Sequence, residues 1–176
     1  MMPSFKLKII LIGIPNSGGE KLITRFIKNR FSANYKLTVG VDILTKDVEY
    51  VQGDVATLSI WDIGGQQRFE FIRSTFYKGA AGALLVFDLT REQTYEEIGN
   101  WLSEIRQYTG ETMPFVLIGN KIHLLNLMES PINREEIREF VKNEGGIYIE
   151  TAPNSTDIVE EAFCELTRQI IKARYN

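Results

Sequence analysis

The sequence predicts a single α/β domain of about six mostly parallel strands, with one antiparallel hairpin, flanked by about five helices. The length of 176 residues fits one domain. Hydrophobic residues make up 44% of the chain and charged residues 24%, a balance typical of globular proteins. Short apolar runs alternate with segments of helical period, as expected for a parallel sheet covered by helices.

The predicted strands are apolar runs bounded by turn residues. They span residues 6–12, 41–50, 55–61, 81–89, 115–118 and 147–149. Gln52, Gly53 and Asp54 join the second and third runs into the predicted hairpin.

The predicted helices carry apolar residues three and four positions apart. These stripes comprise Leu22, Ile23, Phe26 and Ile27; Ile98, Trp101, Leu102 and Ile105; Ile137, Phe140 and Val141; and Val159, Ala162, Phe163, Leu166, Ile170 and Ile171. Three of the helices are preceded by capping-box spacing. The pairs are Thr90 with Gln93, Asn133 with Glu136, and Asp157 with Glu160.

Charge and cysteine content narrow the classes of partner and compartment. Lys and Arg total 20 against 23 Asp and Glu, and no basic stripe stands out, so nucleic acid is not expected as a partner. The single cysteine, Cys164, cannot form an internal disulfide, which suits a reducing compartment. Signal-peptide, lipidation and membrane-span patterns are lacking. We therefore expect a cytoplasmic protein without an intrinsic membrane anchor.

The first predicted strand runs into a glycine-rich turn, Gly13-Ile14-Pro15-Asn16-Ser17-Gly18-Gly19-Glu20. Its placement before a helix and its glycine spacing match G-x-x-x-x-G-K-[ST], whose backbone N–H groups cradle phosphates. Gly19 stands where the motif has the phosphate-neutralising Lys. Glu20 stands where it has the magnesium-ligating hydroxyl. The loop predicts a phosphate site that lacks its working side chains.

Several further stretches resemble the Ras superfamily of small GTPases, and within it the Rab branch. They are LITRF at 22–26, TVGVDI at 38–43, FYKGAAGALLVFDLT at 76–90, GNK at 119–121, YIET at 148–151 and VEEAF at 159–163. The resemblance covers residues 5–174 and implies one G domain of the P-loop NTPase fold.

The resemblance also implies roles for individual residues. The nucleotide-binding positions are Gly13, Ser17, Gly18, Gly19, Glu20, Phe31, Gly65, Asn120, Lys121 and His123, with Phe31 covering the base. Thr38 and Asp62 match the residues that hold magnesium. Gln66 matches the catalytic residue that orients the attacking water. Gly64 departs from the Rab form and resembles the Arf branch.

Two departures affect recognition of guanine. The family motif Asn-Lys-x-Asp ends here in His123, and a neutral imidazole offers one acceptor where the Asp takes two hydrogen bonds. The Ser-Ala-Lys motif reads Ala152-Pro153-Asn154, and Pro153 has no N–H for the guanine carbonyl. Both changes predict weakened guanine binding.

A third set of positions matches the apolar trio that Rab-type proteins present to effectors. These residues are Ile43, Trp61 and Phe76, on the switches and the hairpin between them. All three remain hydrophobic, and aromatic anchors often dominate interfaces. They are equally compatible with merely covering the sheet.

The sequence therefore favours a pseudo-GTPase, a G-domain protein that binds a protein partner with weak or absent guanine-nucleotide binding and needs no cofactor. The alternative is a divergent but active GTP-binding switch that hydrolyses GTP to GDP. In that case Glu20, Lys21 and His123 would take altered roles beside a bound magnesium ion. A third reading is a site for a different nucleotide or phosphorylated ligand.

Overall fold

The part of the chain that the structure describes contains one seven-stranded sheet. The computed structural model describes residues 4–13, 36–38, 41–63, 70–126, 129, 131–152 and 155–175. The strands are β1 (Phe5–Gly13), β2 (Lys36–Thr38), β3 (Val41–Val51), β4 (Asp54–Asp62), β5 (Ala80–Asp88), β6 (Phe115–Asn120) and β7 (Ile147–Thr151). Their order across the sheet is β2-β3-β4-β1-β5-β6-β7.

Five neighbouring strands, β4-β1-β5-β6-β7, run parallel, whereas β3 pairs antiparallel with both β2 and β4. All residues of β5 and β6 are buried, because helices cover both faces of a parallel sheet. Gly53, with φ of 84°, turns the β3–β4 hairpin, and its N–H donates to Glu49 Oε1 at 2.9 Å.

The helices of the described residues are α1 (Glu70–Tyr77), α2 (Glu92–Glu96), α3 (Ile98–Thr109), α4 (Arg134–Glu144) and α5 (Thr156–Tyr175), with a 3₁₀ helix at Ile122–Asn126. Val159, Phe163 and Leu166 of α5 pack on one face of the sheet. Tyr77, Trp101 and Ile137 bring α1, α3 and α4 into the core on the other face. None of the described helices combines the length and the apolar content that crossing a membrane would require.

The predicted architecture is confirmed, since all six predicted strands form and the hairpin is antiparallel. The sheet gains a short edge strand, β2, that was not predicted. The sequence also gave no indication of α1 or of the 3₁₀ helix. The predicted helix through Leu22 and Phe26 lies outside the described residues.

The structure tests the three predicted helix caps, with different outcomes. At Asn133 the prediction is confirmed, because its side chain accepts from the Glu135 N–H and caps α4. At Thr90 it is wrong, because α2 begins after Arg91 and has no side-chain cap. The Thr90 hydroxyl instead donates to Asp88 Oδ1 at 2.6 Å. Asp157 lies in the first turn of α5, one residue after the helix begins, and not at its N-cap.

Candidate functional site

The carboxyl ends of the five parallel strands form one edge of the sheet, where ligands bind in open α/β folds. The last residues of these strands are Asp62, Gly13, Asp88, Asn120 and Thr151. The register of adjacent strands aligns three of them, because Asp88 pairs with Asn120 and Asn120 pairs with Thr151. Gly13, Asp62 and Asn120, predicted from the sequence as site residues, therefore lie along one edge together with two residues that were not predicted.

Asp88 is the most deeply buried charged residue at this edge, with a side chain that is 0% exposed. Its Oδ1 accepts from the Thr90 N–H at 2.8 Å and from the Thr90 hydroxyl at 2.6 Å. Its Oδ2 accepts from Lys121 Nζ at 2.6 Å. Burial alone would raise the pKa of Asp88, but the hydrogen bonds from Lys121 and Thr90 and the charge of Lys121 outweigh it and lower the pKa. Asp88 is therefore an ionised, fully engaged carboxylate.

Lys121 reaches Asp88 from the loop that follows β6. Its backbone has φ of 68°, a left-handed conformation that is uncommon for a residue with a side chain. The Lys121 carbonyl accepts from the Leu124 N–H, which begins the 3₁₀ helix. The side chain is 30% exposed, so the ammonium bridges the buried carboxylate and the surface. The structure thus gives the predicted base-contacting lysine a partner within the protein.

Asn120 is held on its other side by β7. Its side-chain oxygen accepts from the Thr151 hydroxyl at 3.1 Å, and its backbone carbonyl accepts from the Leu89 N–H at 3.0 Å. The side chains of Asn120 and Thr151 are both buried. The strands β5, β6 and β7 therefore fix Asn120 and Lys121 as one unit. Asp88 and Thr151 were missed by the sequence analysis, because their partners Lys121 and Asn120 lie 33 and 31 residues away in the chain.

His123 lies in the 3₁₀ helix Ile122–Asn126 with its side chain exposed. It stands two residues beyond Lys121, where the related motif has a carboxylate. Because its imidazole has at most one acceptor nitrogen, it cannot take the two hydrogen bonds that the carboxylate would.

The remaining predicted nucleotide residues lie largely outside the described part of the chain. Ser17, Gly18, Gly19, Glu20, Phe31, Gly65 and Gln66 are all in this group, and so is Pro153. The backbone of Thr38 ends β2. The predicted roles of all these residues in binding nucleotide or magnesium and in catalysis stay predictions.

Asp62, the other predicted magnesium residue, ends β4 opposite Asp42 of β3. The next residue, Ile63, is buried and its N–H donates to the Leu11 carbonyl at 3.1 Å. Within the described ranges, three or more His, Cys, Asp or Glu side chains do not gather in a geometry that could hold a metal ion. Magnesium binding by Thr38 and Asp62 therefore stays a prediction.

The predicted partner-binding trio does come together. Ile43 on β3 pairs in register with Trp61 on β4. The Trp61 ring lies 6.0 Å from that of Phe76 on α1, measured between centroids. All three side chains are partly exposed. Ile72, one turn before Phe76 and 46% exposed, adds an apolar residue that was not predicted. We call Ile43, Trp61, Ile72 and Phe76 the hairpin–helix surface.

Lys8 packs against the ring of Trp61. Its ammonium lies 3.8 Å from the centroid of the Trp61 ring and donates to the Lys78 carbonyl at 2.8 Å. Burial lowers the pKa of Lys8. The Trp61 indole N–H donates to the Ser59 hydroxyl at 3.1 Å. Trp61 is thereby fixed in orientation at the hairpin–helix surface.

Comparison with known proteins agrees with this geometry. The family model described as "Ras family" matches residues 8–172. The chain belongs to the Ras family. It is 39% identical over 168 residues to the Ras-related protein RABA1a of Arabidopsis thaliana, covering 96% of this chain and 76% of that protein. It is 38% identical, over the same shares, to RIC2 of Oryza sativa subsp. japonica and to Rab11E of Lotus japonicus. The domain is thus a small GTPase of the Rab-like type.

Proposed function

We propose that this Rab-like domain works by binding a protein partner through the hairpin–helix surface, with weak or absent binding of guanine nucleotides. Four replacements in the sequence support the proposal. Gly19 and Glu20 change the phosphate side of the site, and His123 and Pro153 change the base side. Together they remove one cation, one magnesium ligand, one carboxylate and one backbone donor.

The size of these losses supports the proposal. A hydrogen bond to a charged group contributes about 1.5–3 kcal/mol, and an unsatisfied buried donor costs about 1–3 kcal/mol. The missing lysine, carboxylate and amide would together cost about 5–10 kcal/mol. At about 1.4 kcal/mol per decade, affinity falls by roughly four to seven orders of magnitude. Glu20 adds repulsion to a triphosphate. The residues present therefore do not match a magnesium-bound guanine nucleotide.

The pairing of Lys121 with Asp88 is consistent with this function. The lysine that the family uses beside the base has its ammonium 2.6 Å from a buried carboxylate of the same chain. Two residues of the base-side motif, Asn120 and Lys121, thus bind the protein's own groups, Thr151 and Asp88.

The second candidate is an active GTP-binding switch, in which Thr38 and Asp62 hold magnesium and Gln66 orients the attacking water. It is favoured by the retention of these three residues and by the position of Asp62 at the ligand-binding edge of the sheet. The two functions differ in GTP hydrolysis and, before that, in the affinity for guanine nucleotides.

Titration with fluorescent GDP and ADP analogues in the presence of Mg²⁺ tests the proposal. The wild-type chain is expected to show only weak binding or none. The variant Gly19→Lys/Glu20→Thr/Pro153→Ala repairs the phosphate side and the missing amide, and we expect it to gain binding with a partial preference for guanine, because the restored N–H donates to a carbonyl that adenine lacks. Adding His123→Asp should then increase the preference for guanine, because the carboxylate accepts both guanine donors.

The control is Arg138→Gln, a change in an exposed ion pair of α4 that should leave binding unaltered. Tight binding of GDP by the wild-type chain would favour the second candidate. Tight binding of ADP alone would favour a site for another nucleotide. A folded quadruple variant that binds neither nucleotide would show that the four replacements do not account for the defect.

A further inference from the structure

Helix α1 is held against α3 by a buried ion pair. Arg73 Nε donates to Glu104 Oε1 at 3.0 Å, and Arg73 Nη2 donates to Glu104 Oε2 at 3.1 Å. The two side chains are only 7% and 17% exposed. Two parallel hydrogen bonds between a guanidinium and a carboxylate fix both distance and orientation. The pair therefore defines where α1 lies on α3.

Two aromatic residues complete this arrangement. The Tyr77 hydroxyl donates to Glu104 Oε1 at 2.8 Å from a fully buried ring. The Arg73 guanidinium lies 4.8 Å from the centroid of the Trp101 ring. Burial would lower the pKa of Arg73, but Glu104 raises it, so the guanidinium stays charged. Burial and Glu104 both raise the pKa of Tyr77, which stays a neutral donor. We call Arg73, Tyr77, Trp101 and Glu104 the α1 clamp.

The clamp matters because α1 is short. An isolated helix of fewer than about 12 residues is marginal in water, so most of the stability of such a helix comes from tertiary contacts. α1 has eight residues. Its described buried side chains are those of Arg73 and Tyr77, and both bind Glu104. The α1 helix therefore depends on the clamp for its position and for much of its order.

The clamp also acts on the hairpin–helix surface. Phe76 lies between Arg73 and Tyr77 in the sequence of α1 and contacts Trp61. In GTPases the switch segments are ordered by the γ-phosphate and released on hydrolysis. Here a bidentate ion pair within the protein holds α1 against α3.

We propose that the Arg73–Glu104 clamp holds α1 in one position whatever the state of the nucleotide site, so that the hairpin–helix surface is presented constitutively to its protein partner. This regulation rests on the proposed function, because a partner-binding protein without a nucleotide switch needs a permanently formed surface.

Hydrogen–deuterium exchange of the full chain tests the proposal. The informative amides are those of residues 74–77, which a helix starting at Glu70 bonds to carbonyls four residues earlier. In the wild-type chain their exchange rates should be equal without nucleotide, with Mg²⁺ and GDP, and with Mg²⁺ and a non-hydrolysable GTP analogue. In Arg73→Met we expect exchange to be about a hundredfold faster at these amides. The variant leaves the Glu104 carboxylate buried without its guanidinium, which favours local opening of α1. The β5 amides should keep their protection.

Two conservative variants and a control keep the test specific. Arg73→Lys retains the charge but not the two-point geometry and should give an intermediate rate. Tyr77→Phe removes one hydrogen bond to Glu104 and should accelerate exchange severalfold, up to about tenfold. Arg138→Met breaks an exposed pair on α4 and should change nothing in α1. These variants serve if Arg73→Met does not fold.

The outcomes separate this proposal from the proposed function. Unchanged exchange in folded Arg73→Met, or in both conservative variants, would refute the clamp even if the chain binds no nucleotide. Slower wild-type exchange with the GTP analogue than with GDP would refute nucleotide independence. If the chain binds nucleotides yet exchanges at one rate in all three conditions, the proposed function fails and the clamp stands.

Discussion

Replacing Asp88 with Asn tests whether the protein's own groups organise the base side of the site. Asp88 is fully buried and accepts from Lys121 and twice from Thr90. In Asp88→Asn the oxygen facing Thr90 remains, but a side-chain NH₂ group replaces the oxygen facing Lys121. Two donors then face each other, and the buried pair is broken.

The magnitude follows from the burial of the two partners. Breaking a buried ion pair by removing one partner costs about 3–5 kcal/mol. Because the Lys121 side chain is 30% exposed and can regain water, we expect the lower part of that range or less, about 2–3 kcal/mol. With an m value of about 2 kcal/mol per molar urea, the unfolding midpoint should fall by about 1–1.5 M.

Urea unfolding at several pH values gives a second check. The pKa of Asp88 is lowered in the folded state, so its contribution is complete above the unfolded pKa of about 3.9 and is lost as the pH falls through the lower folded pKa. The difference in stability between wild type and Asp88→Asn should be equal at pH 7 and pH 5 and shrink below about pH 4. Arg138→Gln, in an exposed pair, should cost less than about 0.5 kcal/mol. A loss of that small size for Asp88→Asn, or one that grows as the pH falls, would refute the reasoning.

The remaining predictions concern the framework of the fold. Asn133→Ala removes the side-chain acceptor that caps α4 and should lower the free energy of unfolding by about 1 kcal/mol. An unchanged urea midpoint would contradict the capping role. Gly146→Ala should be destabilising by about 1–3 kcal/mol, since its Cβ would lie 2.3 Å from Cζ of the fully buried Phe115. Gly99→Ala, where an added Cβ meets nothing within 4 Å, is the matched control, and equal losses in the two variants would argue against the packing explanation.

Most of the sheet could be predicted from the sequence, because apolar runs and turn residues are local signals. The runs 55–61 and 115–118 predicted β4 and β6, and the observed strands extend one and two residues further, to Asp62 and Asn120. The short strand β2 could not be predicted, since three residues carry too little periodicity. Helix α1 was missed for a different reason. Its position depends on Glu104, which lies 31 residues beyond Arg73 in the chain.

The site shows the same division between local and distant information. Asn120, Lys121 and His123 were found because they form a contiguous motif. Asp88 and Thr151 were missed because their partners lie 33 and 31 residues away and become neighbours only in the sheet. Pairings between distant side chains require the fold. The capping prediction at Thr90 was wrong for a local reason, because its hydroxyl donates to the carboxylate of Asp88, two residues earlier, and α2 begins only after Arg91.

The most direct test of the proposed function is the nucleotide content of the purified chain. The protein is denatured after purification in Mg²⁺ without added nucleotide, and the released small molecules are separated by anion-exchange chromatography and quantified. If the four replacements have emptied the site, far less than one equivalent of GDP or GTP will be recovered. Recovery of close to one equivalent of either would contradict the proposal and establish a guanine-nucleotide site in this chain.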